Sequence, residues 1–176
     1  MIELLRQRHS IRKYTAKPVS PPAREVLVEA LLRSPTSRNN KPWEFIVVDD
    51  VRLLAKLSTA KLHGGAFLKG AALGVVIAAD SRKSDVWVED TAIAAILLQV
   101  VAESLGLGSC WIQIRKRPHD TGTTAESFIQ QLLGLPEHLK VASIISLGYP
   151  GENKPTVPVN ELDYHKVKRN HYSKPL

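Results

Sequence analysis

The stretch AIAAILLQVVA, residues 92–102, limits what this chain can become more than any other part of its sequence. Apolar side chains fall on every face of the helical period, and only Gln99 interrupts them. The run is well short of the roughly 20 residues that a membrane span needs, so it predicts a helix covered by protein on all sides. The middle of a domain or the boundary between two subunits would give that cover.

The remaining segments supply elements to wrap it. In SPPAREVLVEALLRS, Ser20 is placed to cap and Pro21 to open a helix over 21–33, with Val26, Leu27, Ala30 and Leu31 at helical spacing. EFIVVDD predicts a buried strand over 44–50, and Asp49 or Asp50 then caps a helix in VRLLAKLSTAKL, 51–62. AALGVVIAAD repeats the strand signature over 71–80. The long helix, 87–105, stops at Gly106, and GLGSCWIQI, 106–114, begins a third strand. A helix over 124–133 and a strand over 141–149, VASIISLGY, complete the set. Four separated strands with helices between them predict one sheet covered on both faces. The tail from 151 to 176 is rich in proline and charge, has no core of its own, and is expected to lie along another surface.

Composition narrows the function classes. With 176 residues, 44% of them hydrophobic, the chain (1–176) is expected to form a single domain. Its net charge of +7 is spread over both ends, and only 6% of residues are aromatic, so a nucleic-acid stacking surface is poorly supported. The lone cysteine, Cys110, allows no internal disulfide and no cysteine-built metal site; beside Trp111 it reads as core. Histidines 9, 63, 119, 138, 165 and 171 lack the spacing of metal ligands, so no metal is expected. Charged residues from Glu3 onward leave no signal-peptide pattern, and a cytoplasmic setting away from membranes is expected.

Two stretches carry chemistry. RQRHSIRKYT, 6–15, gathers Arg6, Arg8, His9, Arg12 and Lys13 around Ser10. Such a cluster is either a solvated face or a phosphate site, since arginine forks and a hydroxyl suit a phosphate. SPTSRNNKPWEF, 34–45, is turn punctuation that also presents Thr36, Ser37, Asn39 and Asn40 beside Trp43, a mixture suited to a flavin. GLGSC follows a helix and leads into a strand, the reverse of a dinucleotide-binding turn, so it is a helix stop.

RHSIRKY, SPTSRNNKPWEF, ESLGLGSCW and SLGYP occur in the order and approximate spacing of the FMN-dependent nitroreductase family, which the chain resembles from end to end. The resemblance implies an α+β fold with a mostly antiparallel or mixed sheet of four to five strands flanked by helices, in an obligate homodimer whose FMN sites lie at the interface. It implies that Arg8, His9 and Ser10 hold the phosphate and ribityl end, with Arg12 near the N1 and O2 edge of the ring. Pro35, Thr36, Ser37 and Asn39 would approach from the partner subunit, whose surface the C-terminal tail would wrap. Ile112, Gln113 and Ile114 match the segment whose backbone faces flavin N5, and Lys154 matches a phosphate lysine. Thr36 stands where serine is usual, Lys41 where glutamine is usual, and Thr156 where an arginine commonly follows the late lysine. Larger members carry an asparagine and a lysine before the second core strand; here only His63 or Lys69 lies in that segment.

The implied activity is hydride transfer from NADH or NADPH through flavin N5 to an electron-poor acceptor such as a nitroaromatic or quinone. The flavin carries the chemistry, so no catalytic side chain is assigned. A flavin-binding or redox-sensing protein with little turnover is the alternative.

Overall fold

The computed structural model describes residues 1–175. Its sheet has four strands: β1 Trp43–Val48, β2 Leu73–Asp80, β3 Gly108–Gln113 and β4 Leu139–Gly148. They lie in the order β1-β2-β4-β3, and every pairing is antiparallel. The expected strands are all present, with ends shifted by one or two residues. Between Ile77 and Ala78 the register with β4 slips from Ser143 to Val141, a bulge that leaves Ala142 outside the ladder.

Five helices connect and cover the sheet: α1 Ile2–Gln7, α2 Pro21–Leu32, α3 Val51–Leu57, α4 Trp87–Ser104 and α5 Ala125–Leu133. Their starts follow from local chemistry. Side chains of Ser20, Asp50 and Thr124 each accept a backbone N–H of the first turn, replacing a partner the helix cannot supply. Gly106 ends the α4 region at φ 71°, and Gly134 ends α5 at φ 68°, geometries that glycine adopts without a Cβ clash. α3 stops at Leu57, five residues before its expected end. The Ser58 and Thr59 hydroxyls donate to the carbonyls of Ala55 and Lys56 at 2.7 and 2.8 Å, competing with helix continuation.

Alternation along the strands divides the core. Leu73, Val75, Ile77, Ile145 and Leu147 pack with Leu27 and Leu31 of α2 and with Ala94, Ala95, Leu98 and Ala102 of α4. Val76, Ala78 and Ile144 pack on the other face with Leu54 and Leu57 of α3 and Ile129 of α5. The sheet is thus buried on both sides, as its continuous apolar runs require. Of the two covers expected for α4, its own domain supplies only part, because Ile93 is 38% and Ile96 is 42% exposed. The apolar stripe that contains them is only partly covered by the described residues.

The tail forms two short turns, Val159–Glu161 and Tyr164–Lys166, and is exposed throughout from Pro155 to Pro175. Val157, Val159, Leu162 and Tyr164 share a groove with Ile2 and Leu5 of α1.

Candidate functional site

The cation-rich opening runs along the outer edge of β3. Ser10 forms a parallel bridge with Ser109, and the Ile11 N–H donates to the Ser109 carbonyl at 2.9 Å. The approach is close, since a Cβ on Gly108 would lie 2.8 Å from Ile11 Cβ. Tyr14 fixes the far end: its hydroxyl donates to the Ile11 carbonyl at 2.6 Å and lies 2.7 Å from Ser146 Oγ. Burial pushes that phenol well above its ordinary pKa, against the opposing hydrogen bond to Ser146.

Glu152 locks the segment from the other end of the chain. Its Oε1 accepts the Arg12 N–H at 2.6 Å and the Lys13 N–H at 3.2 Å. Those amides hold the carboxyl below its usual range. Lys154 Nζ donates to the Ser10 carbonyl and sits 3.8 Å from Glu152. The structure therefore brings Lys154 to Ser10, across 144 positions of sequence.

The donors gathered here fit a phosphate ester. Among the described residues neither Arg8 nor Arg12 makes an ion pair. The Arg12 guanidinium reaches only the Ser10 carbonyl, at 3.5 Å, and lies 5.7 Å from the centre of the Phe67 ring. His9 Nε2 is buried without a hydrogen-bond partner, a cost that an added acceptor would remove. Glu103 faces Arg8 and His9, and its burial pushes the carboxyl upward, toward the neutral form. Cys110 lies beneath the site at 1% exposure, and burial raises its thiol against the influence of Arg12 and Ser10.

Ile112 and Ile114 bury their side chains in the α3–α5 core. Gln113 spends its amide internally, accepting from Trp111 Nε1 at 3.0 Å and donating to the Arg115 carbonyl at 3.1 Å. β3 is an edge strand, so alternate backbone groups there have no strand partner. Only the backbone of this segment is left to meet a ligand.

Pro35, Thr36, Ser37 and Asn39 lie elsewhere, on the loop from α2 to β1. Arg38, Asn39 and Lys41 adopt φ of 51°, 57° and 45°, an uncommon left-handed series. Asp90, in the first turn of α4, holds the loop: its Oδ1 accepts the Ser37 N–H at 2.8 Å and its Oδ2 accepts the Ser84 hydroxyl at 2.9 Å. Thr36 Oγ1 accepts the Lys41 N–H at 2.9 Å, and Arg38 pairs with Asp85 at 2.6 Å.

The candidate residues thus form two groups and not one. Arg8, His9, Ser10, Arg12 and Lys154 gather outside β3, with Ile112–Ile114 on that edge, whereas the Pro35–Asn39 loop leads into β1. Three strand spacings separate those edges, roughly 14 Å at about 4.8 Å each.

Sequence reasoning missed Glu152, Tyr14, Phe67 and Lys61. The only cue for Glu152 was a carboxylate two residues before a candidate phosphate lysine. His63 and Lys69 are exposed, while Phe67 and Lys61, from the same segment, lie toward Arg12 and Cys110. Among the described residues no group of three or more His, Cys, Asp or Glu could hold a metal ion, and no helix is long and apolar enough to cross a membrane.

A model of the nitroreductase family matches residues 5–64 and 58–149. The chain belongs to the nitroreductase family. A putative NADH dehydrogenase/NAD(P)H nitroreductase of Archaeoglobus fulgidus is 34% identical over 157 residues, covering 87% of each chain. Among solved structures, an FMN-dependent nitroreductase from Clostridium difficile R20291 is 44% identical with a TM-score of 0.96, covering 98% of this chain and 100% of its own. The NADPH:FMN oxidoreductase of Vibrio harveyi, solved with NAD+, is 26% identical with a TM-score of 0.79, covering 98% of this chain and 78% of its own. The nitroreductase fold expected from the four motifs is the fold observed, with four strands, all antiparallel.

Proposed function

We propose that this chain is an FMN-dependent NAD(P)H oxidoreductase that reduces an electron-poor acceptor of the nitroaromatic or quinone type. The observation that carries the reading is the convergence of Arg8, Arg12 and Lys154 beside the unpartnered, buried His9 Nε2 at the β3 edge. Family membership and the nitroreductase and flavin-oxidoreductase names of its relatives support it.

When bound, the flavin supplies the two-electron chemistry, taking hydride from the nicotinamide and passing it to the acceptor. The protein contributes charge and placement. Arg8, His9, Ser10 and Lys154 hold the phosphate end. Arg12, fixed through its own backbone by Glu152 and left with free guanidinium donors, offers positive charge to the part of the ring that gains electrons. The backbone of Ile112–Ile114 borders the reacting edge, because its side chains are committed to the core.

The Pro35–Asn39 loop leads into the opposite edge strand of the sheet, and in this reading a second copy supplies it to the ring in a homodimer. The exposed Ile93 and Ile96 and the uncovered tail support that arrangement.

The test is the visible spectrum of the purified protein, before and after NADH or NADPH is added without oxygen. Oxidised-flavin absorption that bleaches is the expected result. Absorption that persists with both donors would reduce the protein to a flavin binder, and failure to take up FMN would remove the reading.

A further inference from the structure

At the end of β3 the chain turns through Arg115, Lys116 and Arg117, and these three cations line an open pocket of about 700 Å³ together with the Trp87 side chain. The turn is closed by the Arg117 N–H donating to the Ile114 carbonyl at 3.0 Å, and Lys116 is held at φ 59°. The Arg115 guanidinium lies 5.6 Å from the centre of the Trp87 ring. An aromatic face beside clustered cations is a site for a flat ring that carries an anion.

The two carboxylates in the same pocket, Asp120 and Glu126, are outnumbered by four cations, Arg115, Lys116, Arg117 and Lys140. Asp120 Oδ1 accepts the N–H groups of Gly122 and Thr123 at 2.9 and 2.7 Å. Glu126 Oε2 accepts the Val141 N–H at 2.9 Å, and its Oε1 is 3.9 Å from Lys140. Among the described residues Arg115, Lys116 and Arg117 make no ion pair. Their excess charge is felt next door, where burial and then Arg117 lower the Lys61 pKa.

The position matters as much as the charge. Arg115 directly follows Ile112–Ile114, the segment placed beside the reacting ring. Trp87 lies one turn before Asp90, which fixes the Ser37 loop. The pocket therefore begins where the Ile112–Ile114 segment ends. We infer that it holds the phosphomonoester of the adenosine 2′-phosphate portion of NADPH, with Arg117 and Lys116 as the residues that favour the phosphorylated donor over NADH. The inference rests on the NAD(P)H-oxidoreductase reading and names the specificity residues within it.

Calorimetric titration of the FMN-treated protein with adenosine 2′,5′-bisphosphate, adenosine 5′-monophosphate and inorganic phosphate tests it without turnover. The bisphosphate should bind about tenfold or more tightly than the monophosphate, as expected for charge-assisted bonds to one added phosphate. Arg117→Gln and Lys116→Asn, the latter tolerant of left-handed backbone, should each erase most of that difference, whereas Lys56→Gln on α3 should not. The ratio of kcat/KM with NADPH to that with NADH should fall in parallel. Equal affinity for the two nucleotides, binding of inorganic phosphate alone, or unchanged discrimination in both variants would overturn the inference. Failure of FMN uptake would instead overturn the proposed function, and the nucleotide titration would still decide the pocket.

Discussion

The carboxylate of Asp90, at 1% exposure, accepts the backbone N–H of Ser37 at 2.8 Å and so ties the first turn of α4 to a left-handed loop 53 positions earlier. That bond joins the Pro35–Asn39 loop to the buried end of α4. Asp90→Ala should cost about 2 kcal/mol, the scale of hydrogen bonds to a charged acceptor whose donors are left unpaired. It should also weaken FMN retention, while Asp90→Asn, which keeps an acceptor for Ser37, should recover most of both. Chemical denaturation and the flavin content of the purified variants measure the two effects.

Arg8→Ala and Arg12→Ala should each lower FMN affinity by about tenfold or more, the range for a lost charge-assisted bond to phosphate or to a ring that gains charge. Arg33→Ala, which removes only a surface pair with Glu29, should leave it unchanged. Equal retention in all three, read by fluorescence titration with FMN, would remove the role given to the opening stretch.

Glu152 makes the opening segment sensitive to acid. Its folded carboxyl lies below the ordinary value because the Arg12 and Lys13 amides and the Lys154 ammonium favour the charged form. The stabilisation is therefore present at neutral pH, declines as pH falls through the ordinary glutamate range, and is gone below the folded value. Glu152→Gln should be less stable than the parent at pH 7 and should lose less on acidification. Thermal melts from pH 7 to pH 3 compare the slopes.

Gly108→Ala should destabilise by about 1–3 kcal/mol, the usual cost of overpacking, because its Cβ would meet the β-branched Ile11 at 2.8 Å. The strain falls on the segment that carries Arg8–Arg12, so FMN should dissociate faster. Stopped-flow release of the flavin reads this directly.

Ile96→Glu places a charge on the partly covered stripe of α4. Sedimentation should change from a dimer in the parent to a 19.5 kDa monomer in the variant, and the variant should retain little FMN. A parent that sediments as a monomer would contradict the shared site.

The strands were legible because each is a short, largely apolar run, fully buried in β2 and less so in β1, and their ends shifted by only one or two residues. α3 was read five residues too long because helical spacing persists past Leu57, while the Ser58 and Thr59 hydroxyls end the helix. The candidate cofactor residues were proposed chiefly from motif order. That Lys154 meets Ser10, or that Glu152 clamps Arg12, depends on how β3, β4 and the opening segment align, and no local pattern contains that register. The same holds for Asp90, whose place in a helix's first turn is visible but whose grip on Ser37 is not.

The strand order β1-β2-β4-β3 gives each proposed half-site its own edge of the sheet. In the proposed dimer, cofactor retention then obeys mass action in protein as well as in flavin. Dilution that separates the copies would release FMN, and added FMN would draw the copies together. Flavin occupancy would thus report the concentration of the protein that carries it.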